Sequence, residues 1–160
     1  MAYEFYITIE GTKQGKFKGE SERESHKAKL AGFFYQSTIS SPRDVATGQA
    51  SGKRRHDPVI IRKKIGAASP QIAQALCSNE LLKSVLFEFV RTTKDGKEEI
   101  QYTIKLTNAT ISASRIYLPD VSGSGNDQKL DLSEEVQFTF QAIDWEHQIA
   151  RTMASDDWTK

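Results

Sequence analysis

The single cysteine, Cys77, is the side chain best suited to act as a nucleophile in this sequence. A base drawn from His26, His56 or His147 would complete the cysteine–histidine pair used in covalent catalysis. Cys77, however, falls on the apolar face of a predicted helix, where a thiol is typically buried and inert. We therefore predict that the chain has no catalytic residues and is not an enzyme.

Other residue patterns give no stronger indication of a reactive or cofactor-binding site. The three histidines lie far apart and lack the spacing of zinc ligands. The GSGN run at 123–126 is not followed by a helical pattern, so we interpret it as a loop rather than a phosphate-binding turn. Asp144 and Glu146 could form an acid–base pair, but their alternation is more typical of a solvated strand face. We expect no metal and no cofactor.

Two basic clusters leave a binding role open; they comprise Lys53, Arg54, Arg55 and Arg62, Lys63, Lys64. Basic residues on a β-barrel can bind single-stranded nucleic acid when aromatic side chains lie among them. Here the aromatic residues lie elsewhere in the sequence, and the formal net charge is only +1. The alternative is that these charges meet acidic groups across a subunit boundary.

Composition is that of one folded domain spanning residues 1–160, a length sufficient for a substantial core. One cysteine excludes an internal disulfide. No apolar run is long enough to span a bilayer, and the N-terminus lacks the basic and apolar regions of a secretory signal peptide. We therefore expect no membrane partner, and any export must use another route.

Alternating apolar residues predict a mostly β protein. The period of two is clear in Phe5, Ile7 and Ile9, in residues 83–92, and in residues 98–106, with an Asp-Gly hairpin turn at 95–96. The last strand, 132–149, changes phase near 141–142, which predicts a β-bulge. Long strands with bulges favour a closed or split antiparallel β-barrel.

Asn108 is predicted to begin a turn, and residues 11–25 to form a solvated loop. Residues 155–160 are interpreted as a polar tail, in which Trp158 either packs back onto the domain or lies in a subunit interface.

One short helix is predicted at about 69–79. Ser69 is a candidate N-cap with Pro70 at the first helical position, and Asn79 can end the helix in a left-handed conformation. An extended loop at about 41–52 precedes the basic strand, and loops of this length are usually functional or disordered. Pro58 belongs at a strand start or a sheet edge.

A set of short motifs in fixed order resembles one known family. The set comprises Thr47-Gly48, Gly52-Lys53-Arg54, His56-Asp57-Pro58, Lys63-Lys64-Ile65 and Ser69-Pro70, with Gly19-Glu20-Ser21 and His26 upstream. This order of loop, strand, charged turn and helix start resembles the tube protein of type VI secretion systems, the haemolysin-coregulated protein (Hcp) family. The resemblance implies a β-barrel flanked by one helix.

The resemblance also implies a structural role. Tube proteins of this family form rings of six identical subunits, which stack into a tube inside a contractile sheath. The tube is expelled from the cytoplasm and carries effectors, so the implied partners are other copies of the chain, sheath, baseplate, spike and effector proteins. The residues expected at subunit or ring interfaces are Val45, Thr47, Gly48, Lys53, Arg54, His56 and Pro58, and Gln36 is expected to face the lumen. A tube protein of a phage tail or a related contractile particle remains the alternative.

Overall fold

A computed structural model describes residues 5–19, 29–118 and 132–159. His26, the predicted loop at 119–129 and part of the upstream motif lie outside these ranges. The described strands are β1 (Phe5–Gly11), β2 (Gly15–Lys16), β3 (Leu30–Gln36), β4 (Ile39–Ser40), β5 (Arg55–His56), β6 (Val59–Lys64), β7 (Leu82–Thr92), β8 (Glu98–Tyr117), β9 (Ser133–Thr139), β10 (Ala142–His147) and β11 (Thr152–Asp157). Helix α1 spans Ser69–Cys77.

Within the described ranges, six antiparallel strands close into a barrel in the order β8–β7–β1–β3–β6–β9, with β9 pairing back to β8. Strands β10 and β11 extend the sheet from β8, and β2 pairs with the end of β1. A short separate ribbon is formed by β4 and β5. The predicted mostly β barrel with one short helix and an extended loop is therefore confirmed.

The barrel interior is filled by the side chains that point inward at alternate positions of each strand. Phe5, Ile7 and Ile9 of β1 are at most 4% exposed, as their period of two predicts. One end is packed with rings, because Tyr35 lies 5.1 Å from both Phe87 and Phe89, centroid to centroid. Closed packing of this kind leaves functional groups to the surface and to the segments that leave the barrel.

Helix α1 lies at the opposite end and buries Ser69, Ile72 and Ala75. The prediction that Ser69 is the N-cap is wrong, because the cap position is Ala68. The Ser69 hydroxyl instead accepts a hydrogen bond from the Gly66 amide at 3.0 Å and donates one to Glu134 at 2.8 Å. Asn79 has a φ of 53°, which confirms the predicted left-handed helix end. The helix buries a different face from the one predicted.

Strand β8 is longer than predicted. Its 20 residues form one strand, with Asn108 inside it at a φ of 50°, where we had predicted a turn. Opposite Asn108 the predicted long final strand divides into β9 and β10, at the position of the predicted phase change. The Asn108 side-chain amide donates to Gln141 at 2.9 Å across this break. At Asn108, where a turn was predicted, β8 therefore continues, and it is its partner that divides into β9 and β10.

Two short elements were missed by the sequence patterns. The N-terminal loop predicted from residue 11 contains β2, and Phe17 within it is buried in the core at 2% exposed. The predicted polar tail begins within β11, which pairs along the whole of β10. The Asp95-Gly96 turn is confirmed, with Gly96 at a φ of 79°. In the ranges that the structure describes, no helix has the length and apolarity to cross a membrane.

Candidate assembly arm and its base

Residues 38–57, here called the arm, leave the barrel between β3 and β6 as one long hairpin. Its base is closed by the β4–β5 pair and by the Asp57 amide, which donates to the Thr38 carbonyl at 3.0 Å. Farther out, Arg43 and Ala50 form a β-bridge. Every residue from 41 to 53 is exposed. The predicted extended loop is therefore an ordered projection that does not pack on its own barrel.

The tip of the arm is shaped by local hydrogen bonds. The Asp44 carboxylate accepts from the Ala46 amide at 2.7 Å, and the Asp44 carbonyl accepts from the Gly48 amide at 2.8 Å. Aspartate commonly folds a turn in this way. Gly48 has a φ of 73°, a conformation that glycine adopts without steric cost. The turn therefore has a defined shape although its surroundings are solvent.

Val45 stands at the tip and is fully exposed, at 103% of its reference area. Single exposed apolar residues are ordinary on protein surfaces. This one, however, sits at the farthest point of an exposed hairpin, where its side chain stabilises nothing within the chain. The tip therefore presents an apolar side chain that is free to contact another molecule.

The base of the arm is fixed by three side chains, Arg54, His56 and Asp156, here called the Asp156 cluster. Arg54 donates from Nε to Asp156 Oδ2 at 2.7 Å and from Nη2 to Asp156 Oδ1 at 2.8 Å. This two-point geometry is the strongest form of arginine–carboxylate pairing. His56 Nε2 lies 2.7 Å from the same Oδ2, and Arg54 also donates to the Asp157 carbonyl at 2.6 Å.

Aromatic rings surround His56 beneath this cluster. The centroids of Trp158 and Phe140 lie 5.2 Å and 5.3 Å from the His56 ring, and Trp145 stacks on it at 6.4 Å. His56 is 5% exposed as a result. Trp158 thus packs back onto its own domain, one of the two positions that the sequence allowed.

The electrostatics of the cluster keep Asp156 ionised. Hydrogen bonds from Arg54 first, and then from His56, hold the pKa of the Asp156 carboxyl well below its usual range. The same contact with Asp156 raises the pKa of the Arg54 guanidinium. The Arg54 and Asp156 side chains are 31% and 28% exposed, so solvent moderates the strength of the pair.

The residues predicted at interfaces fall into two groups along the arm. Val45, Thr47 and Gly48 form its tip, and Lys53 is exposed on the returning side. Arg54 and His56 point into the base cluster, and Pro58 is half-buried immediately before β6. Gln36, the predicted lumen residue, is exposed at the last position of β3, where the arm leaves the barrel.

Asp156 is the functional candidate that sequence reasoning missed. The terminal segment was interpreted as polar, and Trp158 was its only residue singled out. Asp156 lies 102 residues from Arg54, so no local spacing connects them. The available signal was the acidic pair Asp156-Asp157 beside a tryptophan, in a chain whose basic residues outnumber its acidic ones by one.

The two basic clusters are largely neutralised inside the chain. Lys63 Nζ lies 2.8 Å from Glu134 Oε1, and both side chains are buried in the barrel. Arg62 pairs with Glu135 at 3.2 Å, and Arg55 with Asp57 at 3.2 Å. Lys63 is therefore paired within its own chain, whereas contacts of the exposed Arg55 and the half-buried Arg62 with acidic groups of another copy stay a prediction. The same pairing weakens the nucleic-acid hypothesis, because Lys63 cannot reach a ligand.

Cys77 and the two histidines that the structure describes show no arrangement for catalysis. Cys77 is exposed at the end of α1, which corrects the prediction of a buried thiol. The helix turns Ile72 and Ala75 inward, so Cys77 lies off the buried face. His56 is held in the Asp156 cluster, and His147 Nδ1 accepts from the Ala150 amide at 3.0 Å. Among the described residues, no group of three or more His, Cys, Asp or Glu side chains could hold a metal ion.

These features define a class of protein: a closed β-barrel whose distinguishing surface is a projecting arm. The sequence model of the family described as "Type VI secretion system effector, Hcp" matches residues 6–147. The chain belongs to this Hcp family, a family of structural, secreted tube proteins rather than enzymes.

Individual relatives agree with this assignment. The chain is 35% identical to the "Major exported protein" of Pseudomonas aeruginosa, covering 99% of this chain and 96% of that one. The crystal structure of an Hcp protein matches with a TM-score of 0.91 at 28% identity, over 99% of both chains. The secreted protein Hcp3 of Pseudomonas aeruginosa has a TM-score of 0.79 at 29% identity, covering 98% of this chain and 99% of that one.

Proposed function

We propose that the chain is the tube subunit of a type VI secretion system. It forms rings of six copies, and the rings stack into the inner tube that a contractile sheath expels with its spike. Family membership supports the secretion context. The observation that carries the proposal is the arm. Residues 41–53 are exposed throughout and include the fully exposed Val45 at the tip, while the barrel itself is closed and filled.

The arm favours assembly because a monomer gains nothing from it. Ordering a hairpin costs conformational entropy, and an isolated two-stranded hairpin is marginally stable at best in water. A heterologous contact, in which an arm on one copy meets a different surface on the next, generates closed rings or open tubes. The arm therefore supplies one half of such a contact.

The solution mass of the purified protein tests this proposal most directly. Light scattering across a wide concentration range, followed by negative-stain imaging of the same peak, is expected to give a mass of six chains and ring-shaped particles. A monomer at every concentration would contradict ring formation. Binding to single-stranded nucleic acid by such a monomer, weakened by salt, would instead favour the nucleic-acid hypothesis.

Export and cargo form the second part of the proposal. The chain is cytoplasmic before the sheath contracts and extracellular afterwards, as the name of the "Major exported protein" of Pseudomonas aeruginosa suggests for that relative. Effectors travel in the ring lumen, and Gln36 at the foot of the arm faces them. Appearance of the protein in culture medium should require the sheath gene. Export that continues without the sheath would contradict the type VI route, and sheath-independent tubes would favour the phage-like alternative.

Gln36 can be tested separately. Replacement of Gln36 by Arg adds a bulky charge at an exposed position, where folding is expected to be unaffected because the side chain is not part of the core. The expected result is intact rings with reduced effector export. Unchanged export of every effector by Q36R would show that this residue does not contact cargo.

A further inference from the structure

We infer that Asp156 is a positioning residue of the arm: by holding Arg54 and His56 it sets the direction in which the tip projects from the barrel. The inference rests on the proposed function, because it concerns how the arm is presented for assembly. It assigns Arg54 and His56, which the sequence placed at a subunit interface, to a contact within their own chain.

The first step concerns what else fixes the arm. From residue 41 to residue 53 every residue is exposed, and the hydrogen bonds that shape the tip run within the arm itself. These bonds define the shape of the hairpin but not its angle to the barrel. The angle is therefore decided at the base, where side chains of the arm first contact another part of the fold.

The second step concerns the face on which the anchors lie. Successive side chains of a strand point to opposite sides, so positions 54 and 56 share a face and position 55 takes the other. Arg55 is accordingly exposed, with its side chain at 69%. Both shared-face residues converge on one carboxylate: Oδ2 of Asp156 lies 2.7 Å from Arg54 Nε and 2.7 Å from His56 Nε2. Two contacts on one carboxylate fix the rotation of β5 as well as its position.

The third step concerns how Asp156 is itself held. It is paired in β11 with Ile143 of β10, and Ile143 is 1% exposed in the core. The end of β11 is also fixed, because the Trp158 amide donates a hydrogen bond to the Gln141 carbonyl at 3.0 Å. The path from barrel to arm thus runs through β11, the last strand of the chain. β11 is not one of the six barrel strands, and its role in this inference is to hold Asp156 against the base of the arm.

The charged groups around Asp156 determine when the contact fails. Arg54 and His56 face it from the arm, Asp157 from its own strand, and Asp144 of β10 lines the same shallow surface cavity of about 350 Å³. Hydrogen bonds from Arg54 first, and then from His56, outweigh the neighbouring acids, since the pKa of Asp156 lies below its usual range. The cluster therefore persists through the neutral range and loosens only in acid.

Hydrogen–deuterium exchange of Asp156→Asn against the wild type tests the inference. The variant keeps the shape of the side chain and removes its charge. Exchange in peptides covering 38–57 is expected to rise by about tenfold, the effect of one lost charge-assisted hydrogen bond, while β7 peptides stay unchanged. Glu99→Gln, which removes the carboxylate from the exposed pair between Arg91 of β7 and Glu99 of β8, is the matched control and should leave exchange in residues 38–57 unchanged.

Two further measurements separate positioning from general stability. Arg54→Lys keeps the charge but loses the two-point geometry, so its effect on arm exchange should be intermediate. In the wild type, arm exchange relative to β7 should rise as the pH falls below about 4, and D156N should lack this rise. A flat wild-type profile, or equal acceleration in all strands of D156N, would overturn the inference.

Assembly measurements keep this inference distinct from the proposed function. If the wild type forms rings and tubes, D156N is expected to form fewer tubes at equal concentration. Normal tubes from a variant with a mobile arm would show that arm direction is irrelevant to assembly. If the wild type forms no rings at all, the proposed function fails, and the exchange comparison still decides whether Asp156 positions the arm.

Discussion

Lys63 and Glu134 form an ion pair inside the barrel, with 2.8 Å between Nζ and Oε1 and side chains 0% and 1% exposed. The lysine also donates to its neighbouring Lys64 carbonyl at 2.7 Å, and Ser69 donates to the same glutamate oxygen at 2.8 Å. The pair thereby connects β6, β9 and the start of α1 at the helix end of the barrel.

Removal of one partner of this pair is expected to be severely destabilising. Lys63→Met leaves a buried carboxylate without its cation, which should lower the free energy of unfolding by about 3–5 kcal/mol. The double variant Lys63→Met, Glu134→Leu should recover much of this loss, because no uncompensated charge remains. Chemical denaturation measures both. Arg91→Met, which breaks the exposed Arg91–Glu99 pair, is the control and should cost at most about 1 kcal/mol.

The barrel could be predicted from the sequence because its signal is local. Phe5, Ile7 and Ile9 alternate within five residues, and a buried strand face follows directly from that spacing. The helix was found through Pro70 and Asn79 for the same reason. Its buried face was assigned wrongly, because several rotations of a short helix with small apolar residues are compatible with its pattern, and only packing against the barrel selects among them.

The base of the arm could not be predicted, because its partners are distant in sequence. A run of basic residues indicates a solvated surface unless the acidic partner of each charge is known. Lys63 meets Glu134 across 71 residues, and Arg54 meets Asp156 across 102. The resemblance to the Hcp family singled out this segment, but could not show that Arg54 and His56 turn towards their own barrel.

Tyr35 is expected to ionise unusually late. Burial raises the pKa of its hydroxyl from 10.0 to about 12, since the charged phenolate is disfavoured in the aromatic end of the barrel. The neutral form stabilises the fold below pH 10, and this contribution is lost as the pH rises from about 10 to about 12, by at most about 3 kcal/mol. The difference in ultraviolet absorbance between wild type and Tyr35→Phe isolates this titration. If Tyr35→Phe instead removed one tyrosine from the titration near pH 10, the argument that burial raises the pKa of Tyr35 would be contradicted.

Cys77 is expected to react with a thiol reagent in the native protein. Its side chain is exposed at the end of α1, so modification requires no unfolding. The native reaction should proceed within about tenfold of the rate in denaturant, with the far-ultraviolet circular dichroism unchanged. Cys77→Ser supplies the blank. Strong protection in the assembled protein, together with fast reaction in a dissociated form, would place this end of α1 in a contact between copies.

Val45 at the tip of the arm provides the sharpest test of assembly. In the described part of the chain its side chain is fully exposed, so Val45→Asp should leave the thermal unfolding of the isolated subunit unchanged. If the tip enters an apolar site on another copy, the new carboxylate must lose its hydration there. Association should then weaken by more than about tenfold, since each 1.4 kcal/mol of added cost gives that factor.

The comparison needs a control that adds the same charge at another exposed position. Thr92→Asp does so at the end of β7, beside the turn to β8 and outside residues 38–57. Sedimentation velocity across a concentration series should show larger assemblies for the wild type and T92D, and smaller species for V45D. Equal assembly of all three proteins would mean that the tip is not buried in the contact, and the arm would then act through its sides or its base. Loss of assembly in both variants would point instead to sensitivity to net charge, which added salt would reverse because it screens exposed charges.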